Sequence, residues 1–85
     1  MSGSGSEPVE VWERHGRPVR FAWRGRIYTV IFVRDRWLAS ADPDSGAIAS
    51  PEWWRVEATP LRGVPPALYD LCHEPAADRW FLSVG

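Results

Sequence analysis

The feature that most limits what this chain can fold into is a succession of short segments rich in β-branched and aromatic residues, interrupted by proline and glycine. No window shows the 3.6-residue apolar period of an amphipathic helix, and eight prolines divide the rest of the chain. The segments that we predict to be strands are PVEVWE from Pro8, PVRFAWR from Pro18, RIYTVIFVR from Arg26, EWWRVEA from Glu52, ALYDLC from Ala67 and RWFLSV from Arg79. The sequence therefore predicts an all-β domain.

With 85 residues, the chain has room for one domain and one core. Antiparallel strands in so short a chain are expected to curl and close, because closure removes exposed strand edges. We therefore predict a small antiparallel barrel of about five to six strands, SH3-like, over residues 8–85. Residues 1–7 have the Gly/Ser composition of a flexible tail or linker.

The register of the second hairpin follows from its turn. Arg24-Gly25 has the pattern of a two-residue loop, in which glycine supplies a positive φ. Such a loop pairs Phe21 with Tyr28 and predicts one core face and one outer face. The predicted core face is Val19, Phe21, Trp23, Tyr28, Val30 and Phe32, and the predicted outer face is Ile27, Thr29, Ile31 and Val33. A three-residue loop would exchange the two sets.

The first hairpin favours a longer loop. A two-residue loop at His15-Gly16 would place a carboxylate, that of Glu10, opposite Phe21. A three-residue loop over residues 15–17 instead places Val11 opposite Phe21 and Val9 opposite Trp23. It also leaves Trp12 on the outer side of the sheet, near Arg20.

Two adjacent tryptophans stand out in EWWRVEA. Neighbouring residues of a strand point to opposite faces, so Trp54 is predicted in the core and Trp53 outside it, beside Arg55. Trp12 with Arg20 makes a similar pair. Exposed tryptophan and arginine are typical of binding hot spots and of stacking platforms for single-stranded bases. We predict Trp53, Arg55, Trp12 and Arg20 as partner-binding residues; the alternative is that arginine stems only shield the indoles.

Charge and cysteine content limit the function classes. The formal net charge is −1, which does not favour bulk attraction to nucleic acid or to a membrane surface. The chain has one cysteine, Cys72, so no intrachain disulfide can form, which favours a reducing compartment. No apolar run has the length of a membrane span, and no signal peptide is recognisable. We therefore expect a cytoplasmic protein that does not bind a membrane.

No segment carries a recognisable catalytic or metal-binding pattern. Asp42–Gly46 begins like a calcium loop, but the position that needs glutamate holds Trp53, which favours a plain turn. Cys72 and His73 are neighbours on a predicted strand and therefore point apart, which argues against a nucleophilic pair. Neither His73 nor His15 has a second ligand at metal spacing, and phosphate-binding and dinucleotide motifs are absent from the sequence. We expect no enzymatic activity, no cofactor and no metal.

Three stretches together resemble a known family: PVEVWERHGRPVRFAWRGRIYTV, WWRVEA and ALYDLCHEPAADRWFLS. They are similar to a small bacterial domain of unknown function that is encoded beside, or fused to, Y-family DNA-polymerase-like proteins of the damage-inducible mutagenesis system. The resemblance covers nearly the whole chain from Glu7, and the loop ADPDSGAIASP departs from it by its length. It implies a non-catalytic accessory role in DNA repair or translesion synthesis, and it transfers no binding residues.

We therefore expect an accessory protein-interaction module whose partner is a DNA-polymerase-like protein. Two alternatives from other classes stay open. One is a β-barrel that binds single-stranded nucleic acid directly. The other is a structural homodimer formed through the apolar second face of the third strand, Ile27, Ile31 and Val33.

Overall fold

The computed structural model describes residues 5–38, 51–61 and 63–84 as a closed antiparallel barrel. The six strands follow one another around the barrel in chain order: β1 (Gly5–Arg14), β2 (Arg17–Trp23), β3 (Arg26–Leu38), β4 (Glu52–Thr59), β5 (Ala67–Glu74) and β6 (Arg79–Val84). The predicted all-β class and the small barrel are confirmed. β1 begins at Gly5 rather than at Pro8, and Gly5 pairs with Val84 of β6. The predicted turn Asp42–Gly46 lies outside the described residues.

The two-residue loop predicted between β2 and β3 is confirmed. Arg24 and Gly25 both have positive φ, 50° and 76°, and Trp23 pairs with Arg26 across them. This backbone conformation matches the right-handed twist of the strands it joins. Phe21 consequently faces Tyr28, as the turn predicts.

The predicted three-residue loop between β1 and β2 is wrong, although one of its pairs and its placement of Trp12 are right. Arg14 pairs with Arg17, so only His15 and Gly16 form the loop. Val11 still lies opposite Phe21, because the register shifts by one residue at Val19. This β-bulge takes up the extra residue that we had placed in the loop.

The bulge at Val19 also corrects the predicted core of β2. Glu13 faces Pro18, and Trp12 faces Arg20. Val19 is left without a partner on β1 and is outside the core cluster, whereas Pro18 is fully buried. Val9, predicted opposite Trp23, pairs with Trp80 of β6.

β3 contains two further bulges that exchange its faces. Val30 pairs with Ala58 and Phe32 with Glu57, which leaves Ile31 as an extra residue; a second register shift follows Val33. Phe32, predicted in the core, is therefore on the outer wall with 54% of its surface exposed. Val33, predicted on the outer face, packs against the core. The residues after a bulge change sides because side chains alternate strictly along a strand.

The core fills the barrel with aromatic and aliphatic side chains. Phe21 stacks on Tyr28 with ring centroids 4.9 Å apart, and Tyr69 meets both rings edge-on. Burial, together with the neighbouring Tyr28, raises the pKa of Tyr69. The buried cluster is Phe21, Tyr28, Trp54, Val56, Ala58, Leu71, Trp80 and Leu82. Trp54 is thus in the core, as the alternation of EWWRVEA predicts.

β1 and β3 change pairing partners along their length. β1 pairs with β6 over Gly5–Val9 and with β2 over Glu10–Arg14. β3 pairs with β2 only over Arg26–Thr29, whereas its pairing with β4 runs over Thr29–Leu38. Within the closed barrel, β1 and β3 therefore each change neighbours along their length, and the pairing of β2 with β3 ends at Thr29.

Candidate functional site

Three aromatic side chains and one cysteine form a row across the outer wall of the barrel from β3 to β6. Trp37 pairs with Trp53, Trp53 with Cys72, and Cys72 with Phe81. The Trp37 and Trp53 rings are nearly parallel, at 8°, with centroids 6.1 Å apart. Cys72 is only 8% exposed in this row although it points away from the core, and burial raises the pKa of its thiol. We call Trp37, Trp53, Cys72 and Phe81 the tryptophan row.

Arg55 lies beside the tryptophan row and is engaged within the domain. Its Nε and Nη2 donate hydrogen bonds to the two carboxylate oxygens of Asp70, at 2.9 and 3.2 Å. Its guanidinium carbon lies 5.4 Å from the ring centroid of Trp37. The hydrogen bond to Asp70 raises the pKa of Arg55. The geometry of Arg55 is thus that of an arginine that shields an indole.

Trp12 and Arg20 lie elsewhere on the outer wall. They face each other across β1 and β2, and Arg20 in turn faces Thr29 on β3. Trp12 is 40% exposed. Thr29 pairs with Thr59, at the end of β4 opposite to Trp53. The structure therefore brings the four predicted residues together as two separate pairs and not as one site.

The outer face of β3 and the turn after β4 enclose a groove. Ile27 and Ile31 project from β3, and Leu61 and Val64 project from the turn; they are 53%, 56%, 66% and 42% exposed. Two adjoining depressions of about 500 and 510 Å³ lie between them. We call these four side chains, with Thr29 at the floor, the apolar groove.

The turn is held against β4 by Thr59. The Thr59 hydroxyl lies within hydrogen-bonding distance of the carbonyl oxygens of Leu61, at 2.8 Å, and Val64, at 3.1 Å. The Val64 N–H also donates to the Leu61 carbonyl, at 3.3 Å. These bonds fix the backbone of the turn, and the fixed backbone holds the Leu61 and Val64 side chains across from β3.

Sequence reasoning assigned Ile27 and Ile31 to a dimer surface but did not find Leu61 or Val64. The visible signal was the pair of apolar residues in the loop TPLRGVPP, where polar residues are usual. Val33, the third member of the predicted dimer surface, faces the core. That surface is therefore wrong in its composition, because the bulge at Ile31 moves Val33 inside.

The arginines divide into two groups. Ion pairs with described carboxylates are Arg24–Glu7, Arg34–Glu57, Arg36–Glu52 and Arg55–Asp70. Within residues 5–38, 51–61 and 63–84, no carboxylate forms an ion pair with Arg14, Arg17, Arg20, Arg26 or Arg79. Arg20 and Arg26 border the apolar groove, and Arg14 and Arg17 lie at the tip of the first hairpin.

The histidine and cysteine of β5 do not meet. His73 faces Trp80 and stacks on its ring at 4.4 Å, with its Nε2 3.0 Å from Asp78 Oδ1. Cys72 faces Trp53 on the opposite side of the sheet. Among the described residues, no group of three or more His, Cys, Asp or Glu could hold a metal ion. The described part of the chain also has no helix that is long and apolar enough to cross a membrane.

Fold and surface together define a class: a small closed β-barrel domain whose outer wall carries exposed apolar and arginine side chains. The chain belongs to the family described as Domain of unknown function (DUF6504), whose family model matches residues 1–84. A search of curated proteins finds no match, and neither does a search of solved structures.

Proposed function

We propose that this domain is a non-catalytic accessory module of the cytoplasm that binds a partner protein through the apolar groove. Single exposed apolar residues are ordinary on a protein surface, whereas a contiguous group marks a docking site. Here Ile27, Ile31, Leu61 and Val64 lie around two adjoining depressions and are each at least 42% exposed. This contiguity is the observation that carries the proposal.

The rim of the groove has the composition of an interface. Arg20 and Arg26 border the depressions, and Trp12 lies next to Arg20 on the neighbouring strand. Tryptophan and arginine are the residues most enriched in hot spots. A carboxylate of the partner would meet Arg20 and Arg26 without displacing a described internal ion pair.

A partner must supply more than apolar cover. Burying the exposed parts of four such side chains removes roughly 300 Å² of apolar surface from water, a gross gain of about 7–8 kcal/mol. Association itself costs about 4–15 kcal/mol. Because the two terms are of similar size, the rim arginines and Trp12 have to contribute for binding to be stable.

DNA repair and translesion synthesis are the proposed context. The support is the resemblance to a family that is encoded beside, or fused to, Y-family DNA-polymerase-like proteins. Such a protein is therefore the proposed partner. The other predicted pair, Trp53 with Arg55, lies on a separate part of the outer wall. The substitution Trp53→Ala tests whether that pair also binds the partner.

The test is a calorimetric titration in which a Y-family DNA-polymerase-like protein from the same organism is titrated with the domain and with two matched variants. Leu61 in the groove and Leu68 on β5 are similarly exposed, at 66% and 59%. Leu61→Asp is expected to weaken binding at least tenfold, and Leu68→Asp less than twofold. No binding of the unchanged domain, or equal losses in the two variants, would contradict the proposal.

A second candidate function, direct binding of single-stranded DNA, is favoured by the distribution of arginines. Arg14 and Arg17 pair at one end of β2, Arg26 pairs with Trp23 at its other end, and Arg20 lies between them. Trp12, which faces Arg20, offers a partly exposed ring for stacking. Titration of labelled single-stranded DNA at two salt concentrations distinguishes the candidates. Binding that falls steeply with salt supports this function, whereas no binding at low salt removes it.

A further inference from the structure

The separation of β2 from β3 leaves part of a strand edge open. The last pair between the two strands is Arg20 with Thr29. Beyond it, Arg17 and Pro18 pair with β1, and β3 from Val30 onward pairs with β4. Within the described ranges, no strand pairs with this part of β3 on the side of β2. The edge carries backbone groups that an added strand would satisfy.

A cavity of about 740 Å³ lies at this open edge. We call it the notch, and its lining residues are Arg14, His15, Arg17, Pro18, Val19, Val30, Ile31, Phe32 and Val33. Ile31 and Phe32 are 56% and 54% exposed, so the edge is accessible. One bulge of β3, at Ile31, lies within this stretch and the second follows Val33; bulges bend a strand and increase its local twist.

The charge of the notch has one sign. Its titratable lining residues are Arg14, His15 and Arg17, and no carboxylate lines it. Neither arginine forms an ion pair with a carboxylate of the described residues. An occupant with acidic side chains would therefore meet two positive charges that no carboxylate of the described ranges pairs with.

We propose that the notch binds an extended segment of the partner protein, with alternating apolar and acidic side chains, as an additional strand on β3. Main-chain hydrogen bonds to the open edge provide affinity, and alternate side chains provide specificity, as in other cases of strand addition. An added strand of about four residues spans roughly 13 Å. Its apolar side chains cover Ile31 and Phe32, and its carboxylates approach Arg14 and Arg17. This inference rests on the proposed protein-binding function and names the chemistry of the partner.

Other occupants fit the notch less well. A second copy of the chain related by a two-fold axis would bring the same positive residues, Arg14 and Arg17, toward one another. A nucleic-acid base would need an open aromatic face, and the Arg34 guanidinium already lies 5.4 Å from the Phe32 ring centroid. Neither occupant would use the open backbone edge and the positive charge together.

The test uses three synthetic peptides of seven residues with blocked ends. The first alternates glutamate and valine, the second alternates arginine and valine, and the third is the first with alternate backbone nitrogens methylated. Each is titrated into the ¹⁵N-labelled domain, and amide chemical shifts are followed by NMR. We expect the glutamate peptide to shift the amides of residues 30–33, and both other peptides to bind at least tenfold more weakly.

Charge reversal provides the matched controls. The double variant Arg14→Glu/Arg17→Glu is expected to bind the glutamate peptide at least tenfold more weakly and to bind the arginine peptide more tightly than the unchanged domain does. Arg79→Glu changes an exposed arginine on β6, away from the notch, and is expected to leave the affinity for both peptides within twofold. Thermal unfolding of each variant shows whether the domain has remained folded.

Several outcomes would overturn the inference. Equal binding of the methylated peptide would show that strand pairing does not occur, and shifts confined to Ile27 and Leu61 would place the peptide in the apolar groove. Absence of binding, or a dimer in sedimentation whose contacts protect the amides of residues 30–33, would also overturn it. None of these results tests the proposed function. The titration of the polymerase-like protein with the Leu61→Asp variant tests that function separately.

Discussion

Replacing Val33 with lysine is expected to lower the free energy of unfolding far more than Phe32→Lys does. Val33 packs against the core and pairs with Val56, which is fully buried. Phe32 faces Glu57 on the outer wall and is 54% exposed. A regular strand that continued the alternation from Tyr28 would reverse these roles.

The expected magnitudes differ widely. Val33→Lys gives up about 1.5 kcal/mol of apolar burial and places an ammonium group at a half-buried position, which costs roughly 1–3 kcal/mol more, so the sum is about 2.5–4.5 kcal/mol. At roughly 0.05–0.15 kcal/mol per residue, a domain of this length has a free energy of unfolding of about 4–13 kcal/mol. Phe32→Lys loses about 1 kcal/mol of partial burial and regains less than ~1 kcal/mol from its cross-strand pair with Glu57, because Arg34 already engages that carboxylate.

The assay is urea unfolding at neutral pH, followed by tryptophan fluorescence and far-ultraviolet circular dichroism. Ile27→Lys, at a residue of the same strand that is 53% exposed and faces Ala22, is the control and is expected to unfold near the unchanged domain. If Phe32→Lys unfolds the domain and Val33→Lys is tolerated, or if both cost the same, the bulge at Ile31 and the face assignment derived from it are wrong.

Three other perturbations have defined outcomes. Trp53→Ala should weaken partner binding in calorimetry and lower the free energy of unfolding by about 2 kcal/mol, since the ring is half-buried. Trp54→Ala should lower the free energy of unfolding by about 3–5 kcal/mol. Equal losses in the two variants would place Trp53 in the core. His15→Asn should raise the melting temperature by about 2–4 °C, because asparagine tolerates the observed φ of 54° better; a lower melting temperature would contradict the turn assignment. Burial raises the pKa of both Cys72 and Tyr69, so the neutral forms belong to the folded state. The two raised pKa values contribute to the free energy of unfolding in full at pH values below the unfolded-state pKa values. This contribution is lost as the pH rises above about 9. The urea midpoint should therefore fall between pH 8 and 11, and less so in Cys72→Ala; an unchanged alkaline decrease in that variant would argue against a buried thiol.

The strands and one turn were predictable because their signals are local. Every segment predicted as a strand lies within a strand of the structure or exceeds one by a single residue, as at Arg24. The loop at Arg24-Gly25 follows from the need for positive φ at a two-residue turn. The opposite placement of Trp53 and Trp54 needs only the two-residue period of a strand.

The faces of β3 were not predictable in the same way. RIYTVIFVR is apolar on both sides, so its alternation carries no information about which side is buried. The register shifts at Ile31 and Arg34 arise from pairing with β4. The bulge at Val19 was missed for a related reason, since a longer loop and a bulge place Val11 opposite Phe21 equally well.

The candidate site depended even more on the tertiary structure. Leu61 and Val64 lie far along the chain from Ile27, and the hydrogen bonds of Thr59 hold the turn in position. The pairing of Arg55 with Asp70 joins two strands whose facing residues no local pattern specifies. The two predicted tryptophan–arginine pairs likewise could not be placed relative to each other without the order and stagger of the strands.

The amino-acid sequence by itself determined the all-β class, the positions of the six strands and which neighbours within a strand point apart. These properties depend on steric preferences and on a period of two residues, which act within a few positions of the chain. The tertiary structure decided which face of β3 is buried, where β2 leaves β3, and which exposed side chains share the apolar groove and the notch. The physical reason is that register and strand edges belong to a pair of strands, and neither strand alone contains them.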